Sequence, residues 1–173
     1  EFQAAHPRIE LQLRLSDQVA DFFSDRLDAG IRYGQLADSS LVALPLAANN
    51  RRILCAAPAY IARHGAPRTP EDLTQHNCLR YMMGDLTHER WSFHTEHGVK
   101  AVMVAGDRTS DDADVVRRWA VAGLGVVFKS QLDVRADLEA GRLVELFPRA
   151  WGQPTPLHLV CAHRQSLTPV VQQ

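Results

Sequence analysis

The alternation of strand and helix patterns along the chain is the feature that most restricts its fold. In RRILCAAPAYIARHG, residues 51–65, an apolar strand-like run meets Pro58 and continues directly as a short helix that ends at glycine. Leu11, Leu13 and Leu15 alternate with polar residues, which is the period of a strand with one face in water. Repeated strand and helix patterns of this kind predict an α/β fold with a largely parallel sheet.

Two predicted helices begin with polar residues directly after a strand. The first starts at Ser16 and Asp17, and its apolar stripe consists of Val19, Phe22, Phe23 and Leu27. The second starts at Thr109, Ser110 and Asp111, and its stripe consists of Val115, Trp119 and Ala122. Free N–H groups and the positive end of the helix dipole attract anions at such starts. The hydroxyl groups there can therefore either cap their own helix or contact a ligand, and both interpretations stay open.

Short local signals place the remaining boundaries. Thr69 followed by Pro70 predicts a further helix start, and the sequence around His97 predicts a hairpin. Gly123 and Gly141 follow apolar helical patterns, so each is expected to end a helix.

The composition argues against several classes of function. The 173 residues carry a formal net charge of -1, so no basic field would draw this chain to nucleic acid. No apolar run approaches the ~20 residues that a membrane-spanning helix needs, and we expect no membrane partner. Three cysteines, Cys55, Cys78 and Cys161, cannot form a complete set of disulfides, which favours reduced thiols and a cytoplasmic protein.

Cofactor and metal motifs are weak in this sequence. Gly123 and Gly125 match part of a dinucleotide-binding pattern, but they follow a helix and precede a strand, which is the reverse of that motif. His88, His94 and His97 have no cysteine or carboxylate at matching spacing. We therefore expect no cofactor and no metal site.

A catalytic function has one candidate nucleophile. Cys78 lies close to His76, but the sequence identifies no base together with a group that would orient it. We expect that the chain is not an enzyme, and a small-molecule enzyme using Cys78 or the histidines remains the weaker alternative.

Two long stretches of the chain resemble a known family. The first extends from LRLSDQVADFFSDRLDAGIRYG to TPEDLTQHNCLRY, and the second is DDADVVRRWAVAGLGVVFKSQLDVRADLEAGRLVELF. Together they resemble, over nearly the whole chain, the effector-binding domain of LysR-type transcriptional regulators. The resemblance implies a fold similar to periplasmic solute-binding proteins, with two Rossmann-like α/β lobes joined by two crossover strands around a cleft. The first lobe would comprise residues 1–50 and 135–173, and the second lobe residues 51–134.

The resemblance also implies which residues act. An effector, expected to be an organic acid, would contact Ser16, Tyr33, Gly34, Thr109, Ser110, Asp111, Phe128 and Lys129. Lys129 could supply a counter-charge for an anion, or it could be a solvated strand end. A homodimer, compatible with a tetramer of the full-length protein, would pack Val19, Phe22 and Phe23 of one subunit against Val115 and Trp119 of the other.

Two parts of the family pattern are missing from this sequence. The DNA-binding winged helix-turn-helix is absent, so DNA would be contacted only through an N-terminal domain outside this chain. The opening strand of the first lobe is also absent, which is expected to leave apolar surface and unpaired backbone groups in that lobe. The chain begins at Glu1 without an initiator methionine and is expected to be a fragment or processed piece of a bacterial regulator. A stand-alone periplasmic solute-binding protein of a transporter is the alternative that shares the fold.

Overall fold

A computed structural model describes residues 2–15, 27–34 and 41–162 of the chain. In chain order these residues form α1 (Phe2–Ala5), β1 (Gly30–Tyr33), β2 (Val42–Ala47), β3 (Arg51–Ala56), α2 (Pro58–His64), β4 (Cys78–Met83), β5 (Leu86–Thr87), β6 (Arg90–Thr95), β7 (Gly98–Met103), β8 (Thr109–Ser110), α3 (Ala113–Val121), β9 (Val126–Ser130), α4 (Gln131–Glu139), β10 (Val144–Glu145), β11 (Gln153–Pro154) and β12 (Leu157–Cys161). Short 3-10 helices occupy Pro70–Gln75 and Arg149–Trp151.

The chain divides into two units. The smaller unit combines Glu1–Leu46 with Leu157–Gln173, and the larger unit is Ala47–Pro156. Residues 135–156, which the sequence places in the first lobe, belong to the larger unit because β10 and β11 hydrogen-bond to β3. The assignment of two family-like lobes itself stays a prediction.

The central sheet of the larger unit is mixed. Among the described residues its main strand order is β10-β3-β9-β4-β5, with β11 paired to β3 and β8 paired to β4. Only β4 with β9 and β4 with β8 run parallel within this sheet of described strands. The expectation of a largely parallel sheet is therefore wrong, although the α/β class is confirmed. The antiparallel pairs of described strands in this sheet all involve either β3, because β9, β10 and β11 run opposite to it, or β5, which runs opposite to β4.

The two faces of this sheet carry separate apolar clusters. On one face Leu54 and Phe128 pack against Trp91 and Phe93 of the hairpin formed by β6 and β7. The opposite face packs against α3 and α4, and its buried residues include Ile53, Leu79, Val116, Val127 and Val134. Successive strand residues point to opposite faces, so positions 52, 54 and 56 share the hairpin face.

The smaller unit contains a sheet whose described strands have the order β1-β12-β2. Residues 9–15, predicted as a strand, are not part of any strand. Leu11, Leu13 and Leu15 are 59%, 74% and 88% exposed, so the predicted strand is wrong in the described structure. No described strand pairs with this segment, so no ladder forms there among the described residues, and the three leucines are exposed.

Several local predictions are confirmed, and one helix start is corrected. Pro58 begins α2, Gly123 follows α3 with φ +73°, and β6 turns into β7 after Thr95. The predicted helix at Thr69 is present as a 3-10 helix with a reciprocal capping box between Thr69 and Asp72. Among the described residues, no helix combines the length and the apolar character that crossing a membrane requires.

Candidate ligand-binding site

The carboxyl ends of β4, β8 and β9 lie at one edge of the central sheet. Because these strands are parallel through β4, their ends at Met83, Ser110 and Ser130 share that edge. Both α3 and α4 begin directly after such a strand end. Ligands of open α/β sheets bind beyond the carboxyl ends of the strands, so this edge is the candidate site.

The start of α3 is capped by its own sequence. Asp112, not Thr109 or Ser110, is the N-cap, and its Oδ1 accepts hydrogen bonds from the N–H groups of Asp114 (2.8 Å) and Val115 (3.2 Å). The interpretation of Thr109 or Ser110 as the cap of this helix is therefore wrong. A carboxylate at this position satisfies the free N–H groups and opposes the approach of a second anion.

The three predicted ligand residues before α3 have different environments. Thr109 and Ser110 form β8, are half-buried, and pair with Arg80 and Tyr81 of β4. The Ser110 hydroxyl accepts a hydrogen bond from the N–H of Asp112 at 3.0 Å. Asp111 is exposed. These residues do lie together at the carboxyl edge, and their contact with an effector stays a prediction.

Lys129 already has partners at the end of β9. Its side chain is 8% exposed, its Nζ lies 3.2 Å from a carboxylate oxygen of Asp133, and the same nitrogen donates to the carbonyl of Ala113 at 2.9 Å. It is therefore not a solvated strand end, so that interpretation is wrong. Its charge is paired within the fold, which weakens the interpretation of Lys129 as a counter-charge for an effector.

Phe128 belongs to the apolar cluster on the hairpin face. It is 6% exposed, and its ring centroid lies 4.8 Å from that of Phe93 and 5.6 Å from that of Trp91. Aromatic contacts of this kind stabilise a core, so its described surroundings indicate packing.

A polar pair that the sequence analysis did not identify lies at the start of β3, beside the carboxyl end of β9. Arg52 Nη1 is 2.8 Å from His88 Nε2. A guanidinium has no acceptor atom, so His88 Nε2 must accept this hydrogen bond and its Nδ1 carries the proton. Burial, together with the charge of Arg52, lowers the pKa of His88 to about 4, which leaves the imidazole neutral near pH 7. In the sequence, Arg52 is only an arginine at the start of a strand, and no characteristic spacing relates it to His88.

The other predicted residues belong to the smaller unit, to α3, or to parts of the chain outside the described residues. In the smaller unit, Tyr33 is 47% exposed at the end of β1, and Gly34 follows it with φ +93°. In α3, Val115 and Trp119 are half-buried, and the Arg108 guanidinium lies over the Trp119 ring at 5.9 Å. Four predicted residues lie outside the described ranges: Ser16, Val19, Phe22 and Phe23.

The thiols and histidines offer no described catalytic or metal arrangement. Burial raises the pKa of Cys78 to about 12, and its Sγ is 3.6 Å from the carbonyl of Leu73. His76 Nδ1 instead lies 3.2 Å from the Tyr60 hydroxyl. Within residues 2–15, 27–34 and 41–162, no group of three or more histidine, cysteine or acidic side chains could hold a metal ion.

Comparison with protein families and curated proteins gives consistent matches. The protein-family model described as "LysR substrate binding domain" matches residues 1–173. The HTH-type transcriptional activator TtdR of Escherichia coli strain K12 is 32% identical over 148 residues, covering 86% of this chain and 47% of that protein. The HTH-type transcriptional regulator DmlR of the same strain is 32% identical over 168 residues, covering 97% and 54%. This chain spans about half the length of these relatives.

Solved structures resemble the chain over almost its full length. The regulatory domain of CrgA, a LysR-type transcriptional regulator from Neisseria meningitidis, has a TM-score of 0.81 and 26% identity, and the match covers 99% of this chain and 83% of that one. Full-length AphB, a virulence activator of Vibrio cholerae, has a TM-score of 0.80 and 26% identity, with 99% of this chain and 57% of that one covered.

Proposed function

This chain belongs to the LysR-type transcriptional regulators as their substrate-binding domain, and we propose that it senses a small organic acid for a longer DNA-binding regulator. The observation that carries the proposal is the match of the family model to all 173 residues. The confirmed α/β class, in which the carboxyl ends of β4, β8 and β9 share one sheet edge, supports it.

We propose that the acid binds at the carboxyl edge formed by β4, β8 and β9. Thr109, Ser110 and Asp111 lie at this edge, and Ser110 is half-buried with its hydroxyl directed to the start of α3. Ser16, Tyr33 and Gly34 remain the predicted contacts from the rest of the chain.

Effector binding would act on the regulator by favouring one of its conformations. A ligand shifts such an equilibrium only as far as it binds one conformation better than the other. DNA would be contacted by a domain outside this chain, and the regulator would work in the cytoplasm, where the DNA is. The relatives reported above are transcriptional regulators, which favours this function over a stand-alone solute-binding protein of a transporter.

A homodimer is the proposed assembly, with Val19, Phe22 and Phe23 of one subunit against Val115 and Trp119 of its partner. The partial exposure of Val115 and Trp119 is compatible with this. Replacing Phe22→Asp would introduce a charge into the apolar contact, so we expect the dimer mass measured by light scattering to fall towards the monomer mass. Glu139→Gln on the exposed part of α4 is the control, and an unchanged mass for the Phe22→Asp variant would contradict the interface.

The function itself is tested by a thermal-shift screen of the chain against organic acids, amino acids, sugars and aromatic compounds. A true ligand at 100 times its dissociation constant stabilises the folded state by ~2.7 kcal/mol, which raises the melting temperature by several degrees. The hit should then change the binding of the full-length regulator to its target DNA in a gel-shift assay. A panel without any hit, or a hit without an effect on DNA binding, would argue against an effector-sensing domain.

A further inference from the structure

The backbone of Arg52 is held firmly in the central sheet. Its Cα pairs with Ser130 of β9 on one side and with Gln153 of β11 on the other. Its side chain shares the hairpin face with Leu54, because both positions have the same parity in β3. The Cα of Arg52, from which the guanidinium extends, therefore lies at a fixed position beside the end of β9.

The backbone of His88, whose imidazole contacts Arg52, is fixed as well. The N–H of His88 donates to the carbonyl of Tyr81 at 2.8 Å, and the carbonyl of His88 accepts from Trp91 Nε1 at 3.0 Å. Trp91 is 1% exposed and packs against Phe128. The backbone of His88 is thus tied to β4 and to the apolar cluster, and this position brings its imidazole to Arg52.

The positive charge of Arg52 lacks a direct counter-charge among the described residues. Burial lowers its pKa, and the negative charge of Asp133 only partly opposes this effect. No carboxylate of the described ranges lies within 4.0 Å of its guanidinium, whereas Lys129 has one at 3.2 Å and Arg117 has two, each at 2.7 Å. A partly buried charge facing a neutral imidazole is unfavourable for folding unless another group compensates it.

We infer that Arg52, oriented by His88, is the group that binds the carboxylate of the effector at this sheet edge. A guanidinium has five N–H donors, and His88 accepts from one of its terminal nitrogens, so donors remain for a carboxylate. A single cation matches a carboxylate better than a phosphate dianion. This inference rests on the proposed function. It adds that the effector is a carboxylate and that Arg52 is the residue that selects it.

The arrangement also explains why Lys129 is not needed for this role. Phe128, Lys129 and Ser130 point alternately to the two faces of the sheet, and the Lys129 ammonium is used on the helix face. Arg52 lies opposite Ser130 and on the other face. The effector carboxylate is thus bound from β3 on the hairpin face.

The test compares carboxylates with their neutral amides on matched variants. Dissociation constants are measured by calorimetry for the wild-type chain, Arg52→Gln, Arg52→Lys and Arg51→Gln, using mono-, di-, hydroxy- and aromatic carboxylates, the corresponding amides, and inorganic phosphate. Arg51 is the control, since it is adjacent, partly buried and bonded to the carbonyl of Gly152 at 2.8 Å, but has the opposite parity in β3.

Arg52→Gln should weaken carboxylate binding roughly ten- to a hundredfold, because it removes a charge-assisted hydrogen bond. Arg52→Lys should lose less, because it keeps the charge but not the planar fork. Arg51→Gln should stay within about twofold of wild type. Without ligand, Arg52→Gln should melt at or above the wild-type temperature, because a partly buried charge that Asp133 compensates only in part has been removed.

Different results would separate this inference from the proposed function. Carboxylate binding that is equal in wild type and Arg52→Gln would overturn the inference, as would equal binding of acids and amides, or binding of phosphate alone. A lower melting temperature of unliganded Arg52→Gln would assign Arg52 a purely structural role. In each of these cases a bound small molecule still supports an effector domain. A wild-type chain that binds no compound of any class would refute both.

Discussion

Asp137 provides the sharpest test of what stabilises the larger unit. Its side chain is 2% exposed, and its two oxygens lie 2.7 Å from Arg117 Nη1 and 2.6 Å from Arg142 Nε. The carboxylate therefore connects α3, α4 and the turn after α4. Replacing Asp137→Asn keeps the shape of the side chain, removes its charge, and turns one acceptor into a donor facing an arginine.

The expected loss follows from the exposure of the three groups. Breaking a buried ion pair by removing one partner costs about 3–5 kcal/mol, and the half-exposed Arg142 places this case at the lower end. We expect the free energy of unfolding to fall by about 3 kcal/mol. For a chain of this size that corresponds to a melting temperature lower by roughly 6–12 °C. With a urea dependence of about 2 kcal/mol per molar, the midpoint should fall by about 1.5 M.

The pH dependence separates the ionic contribution from simple packing. Burial favours the neutral acid, but the hydrogen bonds from Arg117 and Arg142 outweigh it and lower the pKa of Asp137. A carboxyl with a lowered folded-state pKa stabilises the protein above its unfolded pKa of about 3.9, and this contribution disappears as the pH falls through the folded-state value. The difference between wild type and Asp137→Asn should therefore be full at pH 7 and shrink below about pH 4.

Urea titrations at pH 7 and at decreasing pH measure this difference, and urea avoids the screening that a guanidinium salt would add. Glu139→Gln is the matched control, because it breaks an exposed pair with Arg135 on the same helix and should change little. Equal stability of wild type and Asp137→Asn at pH 7, or a difference that does not shrink in acid, would refute the reasoning.

Two further predictions follow from buried side chains. Burial raises the pKa of Cys55 and of Cys78 to about 12, so neither thiol should react with a disulfide reagent until the protein unfolds, and stoichiometric labelling of the native chain would contradict this. Phe128→Ala should lower the free energy of unfolding by about 3–5 kcal/mol, whereas Phe128→Leu should keep ligand binding in the thermal-shift assay; lost binding in a stable Phe128→Leu variant would instead favour the predicted ligand contact.

The elements that could be predicted from the sequence are those set by local rules. Pro58 begins α2 because proline suits the first turn, and Gly123 ends α3 because it adopts a positive φ without a steric penalty. Strand direction does not follow from such rules, so the mixed sheet was not anticipated. The segment 9–15 has a strand pattern, but a strand also needs a hydrogen-bonding neighbour, which sequence periodicity does not reveal.

The same limit applies to the candidate site, where the register of distant strands decides which side chains meet. Lys129 is a cation at a strand end next to a helix start, and its sequence context does not reveal that Asp133 pairs with it one turn later. Arg52 and His88 are 36 residues apart and meet only because β3 lies beside β9 and β9 beside β4. His88 is then neutral, and Arg52 keeps a charge without a direct carboxylate partner in the described structure. A partly buried charge without a direct carboxylate partner depends on how three strands pair, so it can be found only after the sheet is known.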